Sequence, residues 1–189
     1  MAKEDIVGIV NSDDGLGPET LRLVADKWDE LGKADIVITG DILCHYKDDS
    51  EQVIKYPPIT LKHYAKEYRM GVNHPATFVP LSLYNKFGVF DTNLKLQADA
   101  DFINRLYLSG VKFIFIDKIL SNQSDGGAST KNMKQSLHDY KYILHKSEIS
   151  KLNHAYLYFK YWTLCYVKSL MPVSILKRYR IQTLFNNIQ

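Results

Sequence analysis

Cysteine is nearly absent. Cys44 and Cys165 lie far apart and neither has a C-x-x-C partner, which excludes a disulfide scaffold or a zinc site and predicts a reducing compartment. No apolar run reaches the ~20 residues needed to span a bilayer. No charged-then-apolar leader with a cleavage site opens the chain, so the expected location is cytoplasmic. There is no internal repeat and no recognised nucleic-acid module. Acid is scarce in one region. From Lys141 onward eight Lys/Arg face a single acid, Glu148, while the remainder carries 16 basic and 20 acidic residues. An acidic body repels nucleic-acid phosphate, and a basic tail suits an anionic membrane surface. The 189 residues can bury one substantial core, so one domain plus an appendage is expected.

What the chain does have begins with a β-branched run, Ile6 to Val10, that leads at once into Asn11, Ser12, Asp13 and Asp14, then Gly15, Gly17 and Pro18. A buried strand ending in paired aspartates puts acid at the carboxyl edge of a sheet, where open α/β folds bind ligands. Adjacent carboxylates repel each other and stay ionised most easily with a divalent cation or a cationic partner between them. This points to a metal-held phosphate ligand. The same residues also make an ordinary turn leading into a helix. A calcium loop of the EF-hand type is excluded, because the twelfth position from Asn11 is Arg22, where a bidentate Glu is needed.

Strand and helix signals alternate along the rest. Helices are predicted over Pro18–Leu31, 60–70, Ser82–Phe87, Asp99–Leu108, 132–148 and 152–170. Strands are predicted over Ala34–Ile42 (ending at Gly40-Asp41), Val53–Tyr56, Ala76–Val79 and Lys112–Ile116, with a Gly-containing loop over Ser124–Ser129. Such alternation favours a mixed α/β sheet. A second acidic cluster, Asp99-Ala100-Asp101, opens the fourth of these helices. Asp99 reads either as a helix cap or as a general base held rigidly at a cleft, and Asp101 sits where the helix dipole favours negative charge.

The joint pattern is more specific than its parts. N-S-D-D after a strand is followed by G-D (40–41), N-H-P-A-T-F (73–78), Y-N-K-F-G-V-F-D (84–91), K-L-Q-A-D-A-D-F-I-N-R-L (95–106), G-V-K-F (110–113) and D-G-G-A-S (125–129). Over roughly residues 1 to 135 this resembles the family 2 glycosyltransferases of the GT-A fold, most closely the bacterial branch that builds cell-envelope polysaccharides. The resemblance implies that Asp13 and Asp14 match the D-x-D-type pair, which positions the donor's ribose and holds Mg²⁺ or Mn²⁺ against its diphosphate. It implies that Asp99 deprotonates the acceptor hydroxyl in an inverting reaction, with Asp101 where a second acid often follows. His74 falls at the start of the strand lining the acceptor side, although a lone histidine is also a common structural residue. Gly126, Gly127 and Ser129 match a flexible loop that closes over the donor.

Those enzymes begin with a strand–helix–strand unit that grips the nucleoside base, and nothing before Ile6 matches it. The chain therefore reads as an incomplete GT-A domain over 1–150, the second two-thirds of such an enzyme, followed by a basic, aromatic helical tail over 151–189. The implied donor is a nucleotide-diphosphate sugar and the implied acceptor a glycan or lipid-linked glycan. A separate N-terminal fragment, or self-association, would cover the sheet edge left open. The alternative is a non-catalytic remnant that binds a glycan or a partner.

In the tail, Tyr156, Tyr158, Phe159, Tyr161, Trp162 and Tyr166 are concentrated between Ala155 and Met171, and Asn153, Lys160, Thr163 and Lys168 form one polar stripe. The stretch suits a helix lying among lipid headgroups, with lysines outward and Tyr and Trp at the interface, beside a second basic segment carrying Lys177, Arg178 and Arg180. The alternative is a helix that packs on the body. The protein is thus expected as a peripheral component on the inner face of the membrane.

Overall fold

The computed structural model describes residues 5–124, 132–172 and 175. It is a mixed α/β fold built on a six-stranded sheet with flanking helices. The opening run forms strand β1 (Ile6–Gly8), shorter than expected. Its only ladder is with β5 (Thr77–Pro80), in which Gly8 pairs with Phe78, and β5 begins one residue before Phe78. Ile9 and Val10 therefore run out of partner and lead into the Asp13-Asp14 turn. A two-residue strand, β2 (Gly15–Leu16), follows, and helix α1 (Thr20–Glu30) starts two residues later than Pro18.

Strand β3 (Ile36–His45) does not end at Gly40-Asp41 as the sequence suggests. The register slips there and the strand continues, pairing its second half with β4 (Glu51–Ile54) in a hairpin. Gly40 makes the slip possible. A Cβ at this position would lie 2.6 Å from the Leu120 side chain and 2.9 Å from the Lys118 carbonyl oxygen, closer than any side chain tolerates. Next come α2 (Pro58–Ala65), with Pro58 in its first turn, and a 3-10 turn over His74–Ala76 that leads into β5. Helix α3 (Leu81–Phe87) ends at Gly88, whose φ of +80° favours glycine. Helix α4 (Ala98–Leu108) leads to β6 (Lys112–Ser124), much longer than the predicted Lys112–Ile116. Two helices close the described chain, α5 (Met133–Lys146) and α6 (Lys151–Leu170). Each is capped by a side chain, Asn132 accepting from the Gln135 amide and Ser150 from the Asn153 amide.

The strand order is β1-β5-β3-β6-β2, with β4 on β3. Only the central β3–β6 ladder is parallel. Because side chains alternate across a strand, Val37 and Ile38 of β3 enter opposite layers. Ile38 joins Val24 of α1, Ile42, Phe78 and Leu120. Val37 joins Leu83 of α3 with Phe102 and Leu106 of α4. Each such fully buried side chain contributes roughly 1.5–3 kcal/mol. The second layer fixes α4 against the sheet, and α4 carries the acidic cluster.

The tail helix corrects one expectation. Lys160 does not point outward. Its ammonium lies 2.5 Å from the Glu67 carboxylate on the body. Glu67 is buried, also pairs with Arg69, and would be a costly lone charge without them. Tyr161 adds a ring contact with Tyr140 of α5, centroids 4.2 Å apart. No helix among the described residues is long and apolar enough to cross a membrane.

Candidate functional site

Three separate segments meet where β1 ends, β5 starts and α4 begins. The first is the turn after β1. The Asp14 amide donates to the Asn11 carbonyl at 3.1 Å, and the Asn11 side chain donates back to Asp14 Oδ2 at 3.0 Å. This turns the partly buried Asp14 carboxylate inward and leaves Asp13 exposed. Burial pushes the Asp14 carboxyl above its ordinary value, and its neighbour Asp13 pushes the same way. The Asn11 bond, the charge of His74 and the Ser124 backbone offset part of this. Among the described residues neither Asp13 nor Asp14 has a Lys or Arg ion-pair partner.

The second segment carries His74. It is placed from the residue before it. Asn73 is buried and donates to the Gly40 and Ile54 carbonyls at 3.0 and 3.1 Å, while Thr77 donates to the Asn73 carbonyl at 2.7 Å. The slip at Gly40 in β3 thus fixes the turn that begins at His74. The His74 ring stands against Phe90, which is edge-on to Phe102 and Tyr84. A narrow void bordered by Ile9, His74, Thr77, Tyr84 and Phe90 lies beside it.

The third segment is the start of α4. His74 Nδ1 lies 3.8 Å from Asp99 Oδ2, and about a third of the Asp99 side chain remains open to solvent. Asp99 does not cap the helix, because Gln97 occupies that position and makes no side-chain cap bond. Asp99 instead accepts from the Ala100 amide through Oδ1, which leaves Oδ2 for His74. Asp101 turns away from this group. It is buried and held by Arg105 at 3.0 Å and Lys146 at 3.4 Å. Arg105 in turn donates to the Phe87 and Val89 carbonyls, so Asp101 anchors α4 to the segment after α3.

Asp139, which sequence reasoning missed, sets the approach to α4. It is fully buried on α5, and its Oδ2 accepts from the amides of Lys95, Leu96 and Gln97 at 2.8, 2.7 and 3.2 Å. Burial raises its pKa, but these amides and the Gln135 side chain outweigh it and hold the carboxyl below the ordinary range. Nothing local distinguishes Asp139 in the sequence, because its partners lie more than forty positions upstream.

The arrangement brings Asp14, His74 and Asp99 together, with Asp13 at the rim. It sends Asp101 into the support. Gly126, Gly127 and Ser129 lie outside the described residues. Among those residues no group of three His, Cys, Asp or Glu stands ready to hold a metal by itself. The donor set does fit a divalent cation that draws most of its ligands elsewhere. Two adjacent carboxylates without a cationic partner, one of them desolvated, match Mg²⁺ bound through one or two carboxylates plus phosphate oxygens. Chemically, the site offers a partly open carboxylate beside an imidazole whose charge is felt by a second acidic group.

The class that the fold defines is a mixed α/β protein with a six-stranded sheet and flanking helices. No protein-family model matches the chain, and no curated protein matches it.

Proposed function

We propose that the chain works in sugar transfer, as the diphosphate- and acceptor-handling part of an inverting, family 2-type glycosyltransferase of GT-A architecture. The observation that carries this reading is the place of His74, which lies 3.8 Å from Asp99 and whose charge is felt by Asp14, so that three separate segments meet around one imidazole. Asp99 receives the proton of an acceptor hydroxyl, and His74 at 3.8 Å steadies its free oxygen. Asp14, with Asp13 at the rim, holds Mg²⁺ or Mn²⁺ against the diphosphate of a nucleotide sugar. When bound, that cation would neutralise charge on the departing diphosphate. The Asn11 side chain keeps Asp14 facing the cleft. The acceptor is a glycan or a lipid-linked glycan, and the protein works on the inner face of the membrane.

The test is direct. Mn²⁺ broadens nearby NMR signals. With uridine, guanosine or thymidine diphosphate present, Mn²⁺ should selectively broaden the Asn11, Asp14 and His74 resonances, and Asp14→Asn should abolish the effect. Selective broadening that survives in Asp14→Asn, or none with any of the three diphosphates, overturns the donor-site assignment. Glycan binding without either would favour the non-catalytic binding module.

A further inference from the structure

Helix α6 shows two different sides. Toward the body, Lys160 meets Glu67, and the Tyr161 hydroxyl bonds to Gln97 and Ser136 at 3.0 and 2.9 Å. Away from the body, Leu152, Tyr156, Phe159, Trp162, Tyr166 and Leu170 are exposed, Leu152 to 83% and Leu170 to 67%. At 3.6 residues per turn they share one face, about 120° wide and, over a 20-residue helix, about 30 Å long. The Phe159, Trp162 and Tyr166 rings stack in succession along it, at 6.0 and 5.5 Å. Single exposed apolar residues are ordinary, whereas a continuous aromatic stripe marks a docking surface.

The charges say what docks. Helix α6 carries no acid, and Lys151 is exposed at its start beside the stripe. The sequence beyond it adds Lys177, Arg178 and Arg180. The occupant must be apolar inside and negative outside. A second copy stacking helix on helix would set cation against cation. The acidic body of another copy has no matching stripe, since its exposed large hydrophobics among the described residues (Leu21, Val53, Ile59, Val89, Leu108, Ile119) sit on separate elements. An anionic lipid bilayer meets both demands, with Tyr and Trp at headgroup depth and lysines among the phosphates.

We propose that the free face of α6 is a lipid-docking surface for anionic bilayers. This rests on the sugar-transfer reading for its purpose but not for its measurement. The experiment is co-sedimentation of the full chain with vesicles of phosphatidylcholine alone or with one quarter phosphatidylglycerol, at low and high salt. Wild type should bind the phosphatidylglycerol vesicles, more weakly in high salt but still measurably, since screening removes only the electrostatic part.

Replacing Phe159 and Trp162 by Ser, both on the solvent side, should weaken binding at least tenfold at either salt, with an unchanged thermal melt. Lys151→Gln should weaken it at low salt only. Equal sedimentation of wild type and the Ser variant overturns the proposal. So does absence of vesicle binding together with a concentration-dependent dimer that the Ser variant abolishes. Asp14→Asn should sediment as wild type does, so failure of the donor site and failure of the docking surface are read separately.

Discussion

His74 and Asp99 face each other with Nδ1 3.8 Å from Oδ2, although a strand, a helix and an aromatic cluster separate them in the chain. The pair gives Asp99 one oxygen tied to the backbone and one free for chemistry. A general base contributes about 10²–10⁴-fold. In the enzyme completed by its nucleoside-binding part, Asp99→Asn should lower sugar transfer by that factor, measured as turnover at saturating donor, with an unchanged melt. A loss of only two- or three-fold would return Asp99 to a local role at the helix start.

Asp14 should behave in the opposite sense to most carboxylates. Burial holds its folded pKa above the ordinary 3.8, so its ionised form is disfavoured by folding. That cost appears as pH rises through the unfolded value toward the folded one, and it is fully present at neutral pH. Asp14→Asn should therefore melt at or above the wild-type temperature at pH 7, and the difference should shrink below pH 4. The same variant should lose Mn²⁺-dependent transfer. A large drop in melting temperature would mean that Asp14 is a structural residue.

Asp139 runs the other way. Its folded pKa is depressed, so its stabilisation is present above the unfolded value and lost as pH falls through the folded one. Asp139→Ala would leave three amides, that of Gln97 among them buried, without their acceptor and should cost about 1–3 kcal/mol in chemical denaturation. Asp139→Asn keeps the shape and should cost less, with a flatter stability curve below about pH 4. Asp91, pulled to about 2 by its Lys146 ion pair and the Asn93 bonds, keeps some acid sensitivity in either variant. An Asp139→Ala protein as stable as wild type would rule out this support.

These residues also mark how far the sequence could be read. The helices and most strands were legible because apolar spacing and turn residues are local signals, and the mixed α/β class followed from their alternation. The ends of β1 and β3 were not, because a strand stops where its partner stops. Gly40 looked like a terminus and is a slip inside a longer strand. Asp14, Asp99 and His74 could be named from their motifs. Their supports, Asn73, Asp139 and Glu67, could not, because each is defined by partners distant in the chain. The Lys160 stripe was misassigned for the same reason, since periodicity cannot tell an outward lysine from one that meets a buried acid.

Gly40→Ala supplies a test of the slip. The added methyl would meet the Leu120 side chain and the Lys118 carbonyl. Overpacking of this kind costs about 1–3 kcal/mol. The denaturation midpoint should fall accordingly, and the Asn73 bond to the Gly40 carbonyl should loosen with it, broadening the His74 NMR signals. An unchanged midpoint and unchanged His74 signals would dismiss Gly40 as the hinge of the site.

The parallel β3–β6 ladder imposes an order on the chain's birth. Ile36 pairs with Lys112 and His45 with Ser124, so the two central strands lie far apart in the sequence. During synthesis at ~5–20 residues per second, β3 leaves the ribosome on the order of ten seconds before β6 can reach it. Until then Val37, Ile38 and Ile42 have the earlier helices, the β4 hairpin and β5 beside them, but not the long β6 ladder. Pairings this distant in sequence fold slowly. The nascent chain is therefore most vulnerable to aggregation and most dependent on chaperones just before β6 emerges to pair along the whole length of β3.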